Sequence, residues 1–317
     1  MFGTRLFAIL TVSPLLCAGA ASAQELKGQY KKHHRPVMAQ LGRGEFREAL
    51  ADLEKLVRQS PGDAETQYCL ALAHSGLGAG DRALRHARAA VEAGLPPERL
   101  VAGPRSLNGA LLGHQGFAAL TKPVTSSLVH GPTLGDLTPT SVKVWVRADR
   151  ECEIKVAIEG ATAAAGRALD ENDYTLVLEL GPLQPDTIYD YQVFRDEEAL
   201  DLGVEARFRT PPEGWGERIR IVFGGGAGFT PKFDHMWSTL ARHRPDALLL
   251  LGDNVYIDRP EVQEVGQYCY YRRQSRPEWR RLAAGVPVYA IWDDHDFGTN
   301  DCHGGAEVDS PPWKRRV

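Results

Sequence analysis

The chain has 317 residues, of which 43% are hydrophobic and 25% charged. That is the composition of a soluble globular protein, long enough for two or three domains. A formal net charge of −4 at pH 7 gives no basic footprint, which excludes nucleic acid as an expected binding partner.

Residues 1–23 have the pattern of a secretory signal. Arg5 supplies a short positive start, residues 6–18 are mostly apolar, and Ala21-Ser22-Ala23 fits an A-x-A cleavage site. The apolar run is short for a membrane span, and Leu16 before Cys17 is too large for the usual lipid-attachment pattern. The expectation is cleavage after Ala23 and export to the periplasm or the extracellular space, with no transmembrane anchor in the mature chain. Cys69, Cys152, Cys269 and Cys302 then remain, and their spacing forms neither a disulfide framework nor a C-x-x-C pair. Cys69 reads as a core residue on an apolar helix face. Cys302 reads as a buried or free thiol and only marginally as a ligand.

Residues 24–121 are helical and repetitive. Gly44-Glu45-Phe46-Arg47-Glu48-Ala49-Leu50 recurs as Gly78-Ala79-Gly80-Asp81-Arg82-Ala83-Leu84. Glycine, alanine and leucine recur at a constant offset equal to the tetratricopeptide period, in which small residues let paired helices approach closely. Pro61-Gly62-Asp63 and Gly94-Leu95-Pro96-Pro97 punctuate the units, and residues 98–120 read as the remnant of a third. With about two repeats, below the roughly three an independent solenoid needs, packing on neighbours or a modest contact surface for a protein partner is expected.

Lys122-Pro123-Val124-Thr125 reads as a linker into a β region over residues 126–212. Alternation with period two marks strands at residues 141–147, 153–158 and 174–178. Leu183-Gln184-Pro185-Asp186-Thr187-Ile188-Tyr189 resembles the start of the tyrosine-corner strand of a fibronectin type III-like sandwich, which implies that Tyr189 holds a corner through a backbone hydrogen bond.

The third region, residues 218–317, opens on the strand pattern Arg218-Ile219-Arg220-Ile221-Val222-Phe223 and the loop Gly224-Gly225-Gly226-Ala227-Gly228. That loop lacks the Lys-Ser/Thr of a P-loop and the order of a dinucleotide fingerprint, so it reads as a tight turn. Two apolar runs follow, each read as a buried strand that ends in carboxylates: residues 248–251 before Gly252-Asp253-Asn254-Val255-Tyr256, and residues 288–291 before Trp292-Asp293-Asp294-His295-Asp296. Ligands of open α/β sheets sit beyond the carboxyl ends of the strands, and oxygen-rich clusters there suit hard metal ions. Taken singly, Asp253 reads rather as a cap at a strand-to-turn junction. The second cluster continues through Phe297-Gly298-Thr299-Asn300-Asp301, and Trp292 and Phe297 bracket its charges, which argues against a merely solvated loop.

Those two motifs together resemble the alkaline phosphatase D (PhoD-like) branch of the calcineurin-like metallophosphoesterases. His130-Gly131-Pro132-Thr133-Leu134-Gly135 through Trp145-Val146-Arg147 is similar to that family's N-terminal β-domain. The resemblance implies a multi-domain fold: a tetratricopeptide-like helical repeat, a fibronectin type III-like sandwich and an α/β metallophosphatase domain. It implies hydrolysis of phosphate esters by metal-activated water, with iron and calcium as the metals. Asp253 would bridge two ions, Tyr256 would bind iron, Asp294 would stand at the Asn of the superfamily's G-N-H-D/E motif, and His295 would stabilise the transition state or protonate the leaving group.

Two departures stand out. The family carries a Cys after the first strand, where this chain has Gly224-Gly225-Gly226-Ala227-Gly228. Its later strands supply further Asp, Asn or His ligands, and these would lie beyond Val317. The expectation is therefore a C-terminally truncated metallophosphatase region lacking the later ligands. The competing expectation is a non-catalytic exported adaptor that binds a protein through the helical repeat and the sandwich.

Overall fold

The computed structural model describes residues 30–214, 218–228 and 233–303. The leader expected over residues 1–23 lies outside the described residues. No helix of the described residues is long and apolar enough to cross a membrane.

Four helices come first: α1 (Tyr30–Gly42), α2 (Phe46–Gln59), α3 (Ala64–Gly76) and α4 (Gly80–Glu92). The 34-residue recurrence has a physical basis in their turns. Gly44 and Gly78 both take left-handed backbone, at φ 77° and 72°, a conformation that costs a residue with a Cβ but not glycine. Ala49 and Ala83 are both fully buried, where small side chains let the helices close on each other. Asp63 caps α3 by accepting from the Thr66 amide at 2.8 Å, which satisfies one of the orphan donors of the first turn. Where a third unit was expected, the chain forms three short helices, α5 (Glu98–Ala102), α6 (Gly109–Leu112) and α7 (Phe117–Leu120), and then a 3-10 turn over Lys122–Ser126.

Eight strands follow: β1 (His130–Gly135), β2 (Val142–Arg147), β3 (Cys152–Ile158), β4 (Ala161–Ala168), β5 (Thr175–Leu180), β6 (Ile188–Arg195), β7 (Glu198–Ala199) and β8 (Arg207–Arg209). One sheet runs β1-β2-β5; the other runs β4-β3-β6-β7, with β8 on β6. Val142, Val144 and Val146 point inward and are fully buried with Ile154, Val156 and Val193 of the facing sheet. This is the period-two alternation expected of strands buried on one side. The Gln184 amide donates to the Tyr189 hydroxyl at 2.7 Å, so the tyrosine fixes the corner ahead of β6.

The last part is a parallel sheet of β9 (Ile221–Gly224), β10 (Ala247–Leu251) and β11 (Val288–Ile291), in chain order across the sheet. Helix α8 (His235–Arg242) links β9 to β10; α9 (Gln263–Gln274) and α10 (Pro277–Ala283) link β10 to β11. Both crossovers step the same way, so right-handed connections put their helices on the same face. Trp237 of α8 and Trp279 of α10 meet edge to face at 4.9 Å over Leu248 and Leu250.

Among the described residues no helix packs over the opposite face; there the Leu137 amide of the sandwich donates to the Tyr289 hydroxyl at 3.2 Å. Phe223 is 72% exposed and Ile291 60%, and all of β11 except Val288 is exposed. The apolar runs 248–251 and 288–291, expected as buried strands, are β10 and β11. They are buried on one face only, because every described helix that joins them lies on that face.

The core of the helical region crosses into this third part. Val255, Ile257, Val262, Val265, Tyr268 and Cys269 belong to the same apolar cluster as Met38, Leu53, Tyr68 and Leu72. Buried charge fixes the contact. Glu65 of α3 accepts from Arg272 of α9 at 3.0 Å and from Arg99 at 3.4 Å, while Arg99 stacks over Tyr68 and Tyr268. Arg147 of β2, also buried, donates to Asp173 at 2.8 Å and to the Ala102 carbonyl at 3.0 Å. Tyr271 of α9 donates to the other oxygen of Asp173.

Candidate metal centre

The centre forms at the carboxyl ends of β10 and β11, where the sequence places its two acidic motifs. Gly252 leaves β10 at φ 96°, and a Cβ there would lie 2.6 Å from the Cβ of Asp293. Glycine is thus required twice, for the left-handed turn and for the close approach of the second motif. Asp253 follows at φ 52°, a strained conformation that Asp tolerates better than most residues. Non-glycine residues in such conformations concentrate at functional sites.

Ligand atoms of Asp253, Asp294 and His295 all lie within 4.8 Å of one another, each side chain half-buried. The Tyr256 hydroxyl donates to Asp253 Oδ2 at 2.8 Å. Asp253 Oδ1 and Asn254 Oδ1 are buried and accept no hydrogen bond within the described residues. An unsatisfied buried oxygen costs free energy, and two of them beside a carboxylate–imidazole cluster are what a bound hard cation would satisfy. The donor set of carboxylates, an amide oxygen, a phenol and one imidazole fits that class of ion.

Asp296 holds the two strand ends together. It is 1% exposed and accepts from the Val255 amide at 2.8 Å, the Asp293 amide at 3.0 Å and Asn254 Nδ2 at 3.1 Å. Asp293 and Asp296 form a capping box on the short helix α11 (Asp294–Phe297). That box orients Asp294, whose Oδ1 accepts from the His295 amide at 2.9 Å.

Asp258, in the same loop as Asp253, accepts from His295 Nδ1. Because a carboxylate only accepts, Nδ1 carries the proton and Nε2 is left for chemistry. The Tyr256 ring lies 4.6 Å from the imidazole, tilted by 40°.

Burial, followed by the hydrogen bond and charge of Asp253, pushes the Tyr256 phenol up to about 12. Arg273, buried beneath the loop, donates to the carbonyls of Ala227 and Asn254 and lies 4.9 Å over Trp237; burial lowers it to about 10. It ties the glycine loop after β9 to the Asp253 turn. Gly226 takes φ 68°, and a Cβ added there would lie 3.6 Å from the Tyr256 hydroxyl.

The sequence-derived residues thus converge: Asp253, Asp294 and His295 form the cluster, and Tyr256 is bonded to it. Cys302 is not part of it. Its sulfur packs beneath Gly298, where a Cβ would come within 2.8 Å. Trp292, one of the two aromatics that bracket the charges, is 78% exposed and meets Phe297 edge to face at 6.3 Å. Two residues of this site have no role in the motifs as read from sequence. Asp258 is an acid in the same loop, and Asp296 stands three residues after Asp293, the spacing of a capping box; both signals were available.

Comparison with known proteins gives three findings. Residues 125–212, the sandwich, match the family described as Domain of unknown function (DUF7800). No curated protein matches the chain. A solved structure described as "Structure of PhoD" is similar at 16% identity and a TM-score of 0.45, over 53% of this chain and 39% of that one. The chain therefore spans about two fifths of that structure's length.

Proposed function

We propose that this protein is an exported, metal-dependent phosphoric ester hydrolase of the PhoD-like kind. The observation that carries the reading is the convergence of Asp253, Asp294 and His295 within 4.8 Å at two adjacent parallel strand ends. On this reading the helical region is tetratricopeptide-like, the sandwich is a fibronectin type III-like β-domain, and β9–β11 belong to a metallophosphatase sheet.

Asp253, Tyr256 and Asp294 are the residues that would hold metal, iron and calcium by family resemblance, and Asn254 Oδ1 is a further neutral donor. A cation there would neutralise phosphate charge, polarise a phosphoryl oxygen and make a water more acidic. The need for it is electrostatic. Asp253, Asp258, Asp293, Asp294 and Asp296 crowd one loop pair, and a phosphate ester would be repelled from that surface without a compensating positive charge. Tyr256 must give up a tightly held proton to become a ligand, which favours a highly charged ion over a weak one. His295, with Nδ1 committed to Asp258, presents Nε2 as the atom that protonates the departing ester oxygen.

The test is metal content of the full 317-residue chain, followed by hydrolysis of p-nitrophenyl phosphate against metal-only controls. Asp253→Asn should lower bound metal and hydrolysis together. His295→Ala should slow turnover by about 10²-fold or more while keeping most of the metal. A wild-type chain that binds no iron, calcium or other hard cation above its Asp253→Asn variant overturns the assignment.

A further inference from the structure

Arg35 lies on α1, yet it reaches the metal-site loop 223 positions away. Its Nη1 donates to the Tyr256 carbonyl at 2.6 Å and to Asp258 Oδ2. The other oxygen of Asp258 accepts from His295 Nδ1. The Arg35 side chain is 13% exposed and that of Asp258 26%, so the pair is only partly screened by solvent.

We propose that Arg35 is a positioning residue for His295, and that the helical region is thereby a working part of the site rather than an appended module. The proposal rests on reading His295 as the proton donor. A half-exposed aspartate swings freely about its terminal torsion, so by itself it holds an imidazole loosely. With Oδ2 pinned by the guanidinium, Oδ1 has one direction in which to accept, and the ring is fixed with Nε2 outward. Partners of this kind set the tautomer and orientation of functional histidines. The same guanidinium fixes the backbone of Tyr256, whose ring packs on the imidazole.

The anchor of Arg35 is itself rigid. The next turn of α1 places Val37, Met38, Ala39 and Leu41 in the shared core, and the preceding residue, His34, bonds Thr66 of α3 at 2.9 Å. Arg43, just past the end of α1, also pairs with this loop, through Glu261 at 3.1 Å. That contact is exposed and bonds neither Asp258 nor His295, which makes it a control for simple buttressing.

The experiment is long-range ¹H–¹⁵N NMR of the histidine rings in the full chain, with His295→Gln to assign the signal. Wild-type His295 should be in the Nδ1–H form. Arg35→Met, which keeps the packing of the side-chain stem, should lose that form, with Nε2–H appearing. Arg35→Lys, with one ammonium in place of a fork, should lose it in part, and keeps the test available if Arg35→Met does not fold. Arg43→Ala should leave it unchanged.

In parallel, kcat for p-nitrophenyl phosphate should fall about tenfold or more in Arg35→Met with KM little changed. Absence of Nδ1–H in the wild type, its persistence in both Arg35 variants, or an equal loss in Arg43→Ala overturns the proposal. If the expected tautomer change occurs in a chain with no turnover, the positioning stands and the hydrolase reading falls.

Discussion

The Tyr256 hydroxyl donates to Asp253 Oδ2 across 2.8 Å, while Asp253 Oδ1 is buried and accepts nothing within the described residues. One oxygen is thus held by a proton that a metal can displace, and the other is already clear. Because the phenol is pushed up to about 12, metal-free protein should show no Tyr256 ionisation below about pH 11 by ultraviolet difference spectroscopy. Iron(III) should produce a visible phenolate band near neutral pH in the wild type and none in Tyr256→Phe. A band of equal strength in the variant would assign the phenolate elsewhere.

Gly252→Ala should damage both fold and site. The residue sits at φ 96°, with Asp293 against the position of any Cβ, so alanine is strained and also separates the two motifs. We expect a loss of about 2 kcal/mol or more in urea unfolding, together with weakened metal binding. Asp253→Asn, at a left-handed position that Asn tolerates, should melt within about 0.5 kcal/mol of wild type. The two neighbouring substitutions thereby separate geometry from charge.

Acid sensitivity should trace to Asp63. Burial alone would raise this carboxyl, but His34 and the two hydrogen bonds from Thr66 outweigh it and lower the group from its ordinary 3.8 to about 2. A depressed carboxyl stabilises the fold above its unfolded value and loses that contribution as pH falls through the folded value. The contribution is therefore full above about pH 4 and fades towards pH 2, with a magnitude of about 2 kcal/mol. Urea melts of wild type and Asp63→Asn should differ most at pH 5 and converge near pH 2. A gap that stays constant across that interval would mean the cap acts without its charge.

The bare face of the parallel sheet should govern self-association. Ile221, Phe223, Leu251 and Ile291 form an exposed apolar patch, and among the described residues β9 and β11 each have a single neighbouring strand, conditions that favour aggregation. Phe223→Ser with Ile291→Ser should lower light scattering at high concentration and leave the unfolding midpoint within about 0.5 kcal/mol. An unchanged scattering profile would clear this face of the association.

Local pattern was enough to place much of this chain. Period-two alternation located β2, β3 and β5, because one side of each strand is buried and the other is not. The glycine offset marked the two helical hairpins, because only glycine takes their left-handed turns without strain. Asp294 and His295 were legible because a dense Asp/His segment after an apolar run is costly without ions or hydrogen bonds, and Asp253 became legible as a second such strand end beside it.

What the sequence by itself determined, then, was the set of residues at each strand end and the compositional change from helix to strand to mixed α/β. The tertiary structure alone decided that β10 and β11 are neighbours, which brings Asp253 to Asp294 and His295. It also decided which face of the sheet the helices cover, since that depends on the hand and direction of two crossovers and not on any residue of β11. Arg35 had no local signal. A helix in isolation gives no sign of which distant loop its guanidinium will meet, and here the meeting is set by a core that α1 and α9 build together.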